Sequence, residues 1–125
     1  MKENLIVLAV DDDMINLKLL KSMLMKTGHV AEVIEAGNGS DAVDILKARQ
    51  QEIDIVLLDI IMPIMNGIEV LQVVRADENL HQVPIIVLTT DETKKGEALE
   101  YGANSFLMKP IRKDDLVEKM STVLV

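Results

Sequence analysis

The sequence predicts a doubly wound α/β domain of five βα units, with a five-stranded parallel sheet in the order 2-1-3-4-5. Three observations carry this reading. Short apolar runs rich in β-branched residues alternate with longer amphipathic stretches from one end of the chain to the other. The runs are continuously apolar, the pattern of strands buried on both faces, which belongs to parallel sheets covered by helices on either side. The breaks are a few residues long, with no linker, repeat or low-complexity stretch between them.

Taken in order, the first strand is Leu5–Val10, and the helix after it carries Leu17, Leu20 and Leu24 at helical spacing before stopping at Gly28. A weaker second strand is expected over Val33–Ala36. Asn38–Gly39 then opens a helix that turns Ala42, Ile45 and Leu46 inward. The third strand is expected over Ile53–Leu58, followed by a helix that starts at Asn66–Gly67 and buries Leu71 and Val74. Pro84–Leu88 reads as the fourth strand, with Asp91 capping a helix that runs to Gly102. Ser105–Met108 is the fifth strand, and Leu116, Met120 and Val123 mark the last helix. The fourth helix is the softest of the five. Gly96 costs roughly 1 kcal/mol against alanine in a helix interior, and the charged run Glu92–Glu97 offers few apolar anchors.

Composition narrows the functions open to such a domain. The 125 residues hold 21 acidic and 13 basic side chains, a net charge of −8, and no cysteine. Disulfide frameworks and thiolate metal sites are therefore excluded. The acidic balance argues against a nucleic-acid surface, and a 2% aromatic content argues against stacked bases or flavins. The first apolar run is six residues long and ends in three aspartates, too short for a signal segment or a membrane span. A cytoplasmic protein of one domain over residues 1–125, with no output domain, is the expectation. His29 and His81 are expected on exposed loops. The eight methionines read mostly as core gap-fillers, with Met62, Met65 and Met108 flanking the site and shaping its rim.

Doubly wound sheets bind their ligands beyond the carboxyl ends of the strands, where strand order reverses. Strand one leaves Asp11, Asp12 and Asp13 there, strand three leaves Asp59, strand four Thr89 and Thr90, and strand five Lys109–Pro110. Asp13 fits an ordinary helix cap. Asp11, Asp12 and Asp59 come from neighbouring strands across the switch point. At 4 Å and an effective dielectric of about 20, each pair of such carboxylates repels by about 4 kcal/mol, so protons or a cation are required. An all-oxygen set with few ligands suits Mg²⁺ better than Ca²⁺. A hydroxyl and a lysine opposite the acids complete the equipment for holding a phosphoryl group. A carboxylate on the central strand can act as the nucleophile. Singly, each piece is commonplace: strand-end aspartates are usually turn residues, and lone lysines usually lie at the surface. Their convergence on one edge is what gives them weight.

The stretches Val-Asp-Asp-Asp at 10–13, Leu-Leu-Asp-Ile-Ile-Met-Pro-Ile-Met-Asn-Gly at 57–67, Leu-Thr-Thr at 88–90 and Lys-Pro at 109–110 resemble the receiver domain of two-component response regulators. The resemblance covers essentially the whole chain and implies a flavodoxin-like fold. It implies that Asp59 is the phosphoacceptor, taking a phosphoryl group from a sensor histidine kinase or a histidine phosphotransfer domain. It further implies that Asp11, Asp12, Asp59 and the backbone carbonyl of Ile61 hold Mg²⁺. Thr89 and Phe106 would form the switch pair and Lys109 the cation at the phosphoryl group, with a cis Lys109–Pro110 bond. The implied role is a signalling switch, not an enzyme, acting on a downstream protein through the face of helix 4, strand 5 and helix 5.

The sequence departs from the family's commonest pattern at three places. Thr90 replaces a small residue, Phe106 replaces a tyrosine, and Ile61 carries no polar group to orient water. Slow self-dephosphorylation is therefore expected. Three other readings compete. A haloacid-dehalogenase-type, Mg²⁺-dependent aspartyl-phosphate hydrolase would need a second acid after Asp59, where Ile60-Ile61 stand. A flavodoxin-type electron carrier would need a hydroxyl-rich phosphate loop where the aspartates stand. A degenerate receiver used only for docking would have no need of intact acids, Thr89 and Lys109.

Overall fold

The computed structural model describes residues 2–124. Five strands, β1 (Leu5–Val10), β2 (Val30–Ala36), β3 (Ile55–Asp59), β4 (Ile85–Thr89) and β5 (Ser105–Met108), form one parallel sheet in the order β2-β1-β3-β4-β5. The helices between and after them are α1 (Met14–Met25), α2 (Gly39–Arg49), α3 (Gly67–Ala76), α4 (Lys95–Glu100) and α5 (Lys113–Val123). This is the expected doubly wound architecture. Side chains alternate across the sheet, so the continuous apolar runs feed two cores. On one face Leu8, Val10, Val56, Leu58, Ile85 and Val87 pack beneath α2, α3 and α4. On the other, Leu5, Val7, Ala9, Ile55, Leu57 and Ile86 pack beneath α1 and α5 through Leu17, Leu20, Leu24, Leu116 and Met120.

Some boundaries move. β2 starts three residues earlier than expected, at Val30, because Glu32 and Glu35 interrupt an apolar pattern that the hydrogen bonding to β1 ignores. The two glutamates are held by Arg49, at 3.1 Å from Glu32, and Lys18, at 2.9 Å from Glu35. β3 begins at Ile55 rather than Ile53. Asp54 just before it turns its carboxylate onto the Ile6 N–H at 2.8 Å, which fixes the start of β1 instead. In α2 Ala42 and Leu46 are buried as expected and Val43 joins them, whereas Ile45 is only half-buried at the margin.

The fourth helix departs furthest from expectation. Asp91 does accept a capping bond from the Thr93 N–H at 3.0 Å, but the turn it opens, Glu92–Lys94, is 3₁₀. The α-helical part is six residues long, has no side-chain cap and buries only Ala98. A helix this short with one apolar anchor has little to hold it beyond its ends.

Candidate functional site

The site lies at the carboxyl edge of the sheet and is built by three local devices. After β1, Asp13 caps α1 by accepting from the Ile15 N–H at 2.8 Å, and its own N–H donates to Asp11 Oδ1 at 2.9 Å. That pair of bonds turns the chain so that Asp11 is buried and Asp12 exposed. After β3, Asn66 and Glu69 form a reciprocal capping box at the start of α3, at 3.0 and 3.1 Å. Gly67 packs directly on the strand end: a Cβ there would lie 2.6 Å from the Asp59 carbonyl oxygen and 2.7 Å from Ile60 Cα. After β5, the Lys109–Pro110 bond is cis, as the family resemblance implies. The Lys109 N–H donates to the Thr89 carbonyl at 2.8 Å.

One carboxylate oxygen from each of Asp11, Asp12 and Asp59 falls within 4.8 Å of the others. Lys109 Nζ donates to Asp11 Oδ2 at 3.0 Å and sits 3.4 Å from Asp59 Oδ1, so the lysine bridges the two buried acids. Burial, reinforced by the charge of Asp11, pushes the Asp59 carboxyl up to about 6, although Lys109 and a backbone hydrogen bond from Ile61 pull the other way. Burial opposes the charge on Lys109. Its hydrogen bond to Asp11 and the negative charges of Asp59 and Asp11 outweigh that and hold the ammonium above its usual range. The donor set fits a hard divalent cation. It consists of oxygens alone, two of them on buried groups whose mutual repulsion a single lysine only partly offsets.

Thr89 is 1% exposed, and its hydroxyl accepts from the Asp91 N–H at 3.1 Å. Thr89 pairs with Met108 and Val87 with Phe106 across β4 and β5, so Thr89 and Phe106 share the sheet face that α4 covers. Phe106 packs half-buried against that core. Thr90 is exposed, Met62 is buried, Met65 is half-buried and Met108 is exposed beside the site. Of the histidines, His81 is exposed, with its ring Nδ1 2.8 Å from the Glu78 carbonyl. His29 is half-buried, 3.4 Å from Glu3, rather than on an open loop.

One residue that matters went unseen in the sequence. Arg75, at the end of α3, donates from Nε to Gly102 O at 3.0 Å, from Nη1 to His81 O at 3.1 Å and Val83 O at 2.7 Å, and from Nη2 to Asn104 Oδ1 at 2.9 Å. It ties the α4–β5 turn to the α3–β4 loop. No spacing marks such a residue, because its acceptors are carbonyls that the sequence does not display.

Comparison with known proteins matches the response regulator receiver domain over residues 7–121. Protein PilH of Pseudomonas aeruginosa is 37% identical over 120 residues, 94% of this chain and 96% of that one. A chemotaxis protein CheY homolog of Campylobacter jejuni is 35% identical, covering 94% of this chain and 91% of its own. Among solved structures, chemotaxis protein CheY4 of Vibrio cholerae superposes with a TM-score of 0.85 at 31% identity, over 96% of this chain and 98% of that one. A response regulator from Chloroflexus aurantiacus gives 0.89 at 28% identity, over 98% of both chains. The chain therefore belongs to the receiver domain family of two-component response regulators. Among the described residues, no helix is long and apolar enough to cross a membrane.

Proposed function

We propose that the chain is a single receiver domain, residues 1–125, whose Asp59 accepts a phosphoryl group from the phosphohistidine of a sensor kinase or a phosphotransfer domain. The observation that carries the reading is the Lys109 bridge between two buried aspartates, with a third carboxylate on the same cluster. An Asp59 oxygen attacks phosphorus and the imidazole nitrogen departs, leaving an aspartyl-phosphate. Asp11, Asp12, Asp59 and the Ile61 carbonyl are the groups that would hold Mg²⁺, which when bound supplies charge neutralisation for the acids and the incoming oxygens. Lys109 keeps one ammonium within reach of Asp59 and of the oxygens that arrive there. The Thr89 hydroxyl accepts one hydrogen bond from Asp91 and still has its own proton to donate. Drawing it toward a phosphoryl oxygen would open space on the face shared with Phe106 and α4. Transmission to a downstream protein through α4, β5 and α5 fits the weak anchoring of α4. In this reading the domain assists its own phosphorylation and slow dephosphorylation and turns over no separate substrate.

Incubation with acetyl phosphate and Mg²⁺, followed by intact mass, tests the reading. The expected result is one added phosphoryl group that requires Mg²⁺ and is absent from Asp59→Asn. No addition would overturn it, and steady turnover of p-nitrophenyl phosphate would favour the hydrolase. Ile61 is exposed and apolar beside the acceptor, so Ile61→Asn should speed loss of the acyl phosphate measurably. An unchanged half-life would show that water is not oriented from that position.

A further inference from the structure

The loop between β3 and α3 contains a backbone feature that the acceptor chemistry leaves unused. Ile64 has a φ of +69°, and the Met65 N–H donates to the Pro63 carbonyl at 2.8 Å across it. An i to i+2 hydrogen bond closed over a positive-φ residue is the rare, strained form of γ-turn. A β-branched side chain is among the worst choices for that region, and glycine would occupy it freely. The usual compensation, burial of the side chain, is absent, because Ile64 is 96% exposed. The flanks fix the turn. Pro63 restricts the backbone before it, and the Asn66–Glu69 capping box and the Gly67 N–H to Ile60 carbonyl bond, at 2.8 Å, pin the chain after it. Strain that the surrounding structure holds in place, with no return inside the molecule, points to a use outside it.

A second observation gives the direction. Met14 and Ile15 follow the aspartates of β1, Ile61 follows Asp59 by two residues, and Met108 precedes Lys109, and all four are exposed. In a chain of net charge −8, exposed apolar side chains thus border the acidic cluster on the segments that form it. A macromolecule that delivers a group to Asp59 meets the carboxyl edge of the sheet, and the loop that leaves β3 at that residue forms part of this edge.

We propose that Ile64 is a specificity-determining residue, held outward on the strained turn to contact an apolar patch beside the phosphohistidine of the donor protein. The inference rests on the phosphoacceptor reading above. In the transfer it serves, an O–P bond forms at Asp59 while the N–P bond of the phosphoimidazole breaks. The imidazole nitrogen leaves with the electron pair and takes a proton.

The experiment compares a small and a large donor. Wild type, Ile64→Asn, Ile64→Leu and Ile64→Gly are labelled first with acetyl phosphate, a small donor that brings no protein surface to the turn. They are then labelled by each autophosphorylated histidine kinase that the source genome encodes. Acetyl phosphate should label all four at the same rate. The kinase fastest on wild type should slow by about tenfold or more on the Asn and Gly variants and stay within about threefold on Leu, as loss of one apolar contact requires. Asn and Gly should also raise the urea midpoint, because both tolerate positive φ. Equal kinase rates on all four proteins would overturn the proposal, as would equal slowing with both donors, which would mean that the turn merely shapes the acceptor site. Acetyl phosphate labelling of wild type with no kinase transferring to it would overturn it too. Failure of acetyl phosphate on wild type would instead strike the phosphoacceptor reading beneath it.

Discussion

At the scale of single residues, Asp59 is where burial and charge disagree most. An unfolded chain releases this proton near 3.8, while the folded domain holds it to about 6. Between those values the native state binds more protons than the unfolded one, so stability falls as pH rises through the window. The full cost of ionising Asp59 in place is about 2–3 kcal/mol. Asp59→Asn removes that cost and leaves Lys109 on Asp11 at 3.0 Å. In chelated, metal-free buffer the variant should be about 1–2 kcal/mol more stable than wild type at pH 8, with the gain vanishing toward pH 4. Urea unfolding of both proteins across that range measures it, and a constant difference with pH would mean that Asp59 is not the titrating group. The same instability makes the site receptive, since whatever neutralises Asp59 recovers the energy spent on folding it charged.

At the scale of elements, two glycines separate what is fixed from what is loose. Gly67 starts α3 against the backbone of Asp59 and Ile60, so Gly67→Ala must push the helix off the end of β3. A loss of about 2–4 kcal/mol is expected. Gly96 in α4 meets nothing within 4 Å, and Gly96→Ala should gain about 0.5–1 kcal/mol. Chemical denaturation of the pair checks both signs. The other end of α4 is held by Arg75 on the Gly102 carbonyl, with three further acceptors on the same guanidinium. Arg75→Met strands those acceptors and should cost about 2–3 kcal/mol. Arg75→Lys should recover only part of it, since an ammonium lacks the planar fork. Equal stability of all three proteins would show that water replaces the guanidinium without penalty. These elements also mark how far the sequence could be read. Strand ends carrying Asp11, Asp12, Asp59, Thr89 and Lys109 were legible because apolar runs stop abruptly at chemically distinct residues. The start of β2 was not, because Glu32 and Glu35 are neutralised by residues 17 positions away in sequence. The split of the fourth helix was half-legible in Gly96 and its charged run. The γ-turn at Ile64 and the Arg75 clamp were invisible, one being a dihedral angle and the other a set of backbone acceptors.

At the scale of the whole molecule, the charge of −8 separates into a diffuse part and a focused part. Most acids lie on exposed helix faces and loops, several paired with lysine or arginine, and ordinary salt screens them. Asp11, Asp12 and Asp59 are different, because two of the three are buried and their oxygens converge within 4.8 Å. Screening reaches buried charge poorly, whereas a cation seated among the oxygens binds the native state and not the unfolded chain. Mass action then adds about 1.4 kcal/mol when free Mg²⁺ stands at ten times its dissociation constant. Raising Mg²⁺ into the millimolar range at pH 8 should therefore lift the urea midpoint beyond what NaCl of equal ionic strength achieves. The excess should shrink as pH drops below about 6 and Asp59 takes up its proton. Asp12→Asn removes the exposed carboxylate of the cluster without unpacking the core, so it should keep the response to NaCl and lose most of the Mg²⁺ increment. Equal midpoints in Mg²⁺ and matched NaCl would show that the cluster behaves as surface charge, and that Lys109 alone is enough to hold it together.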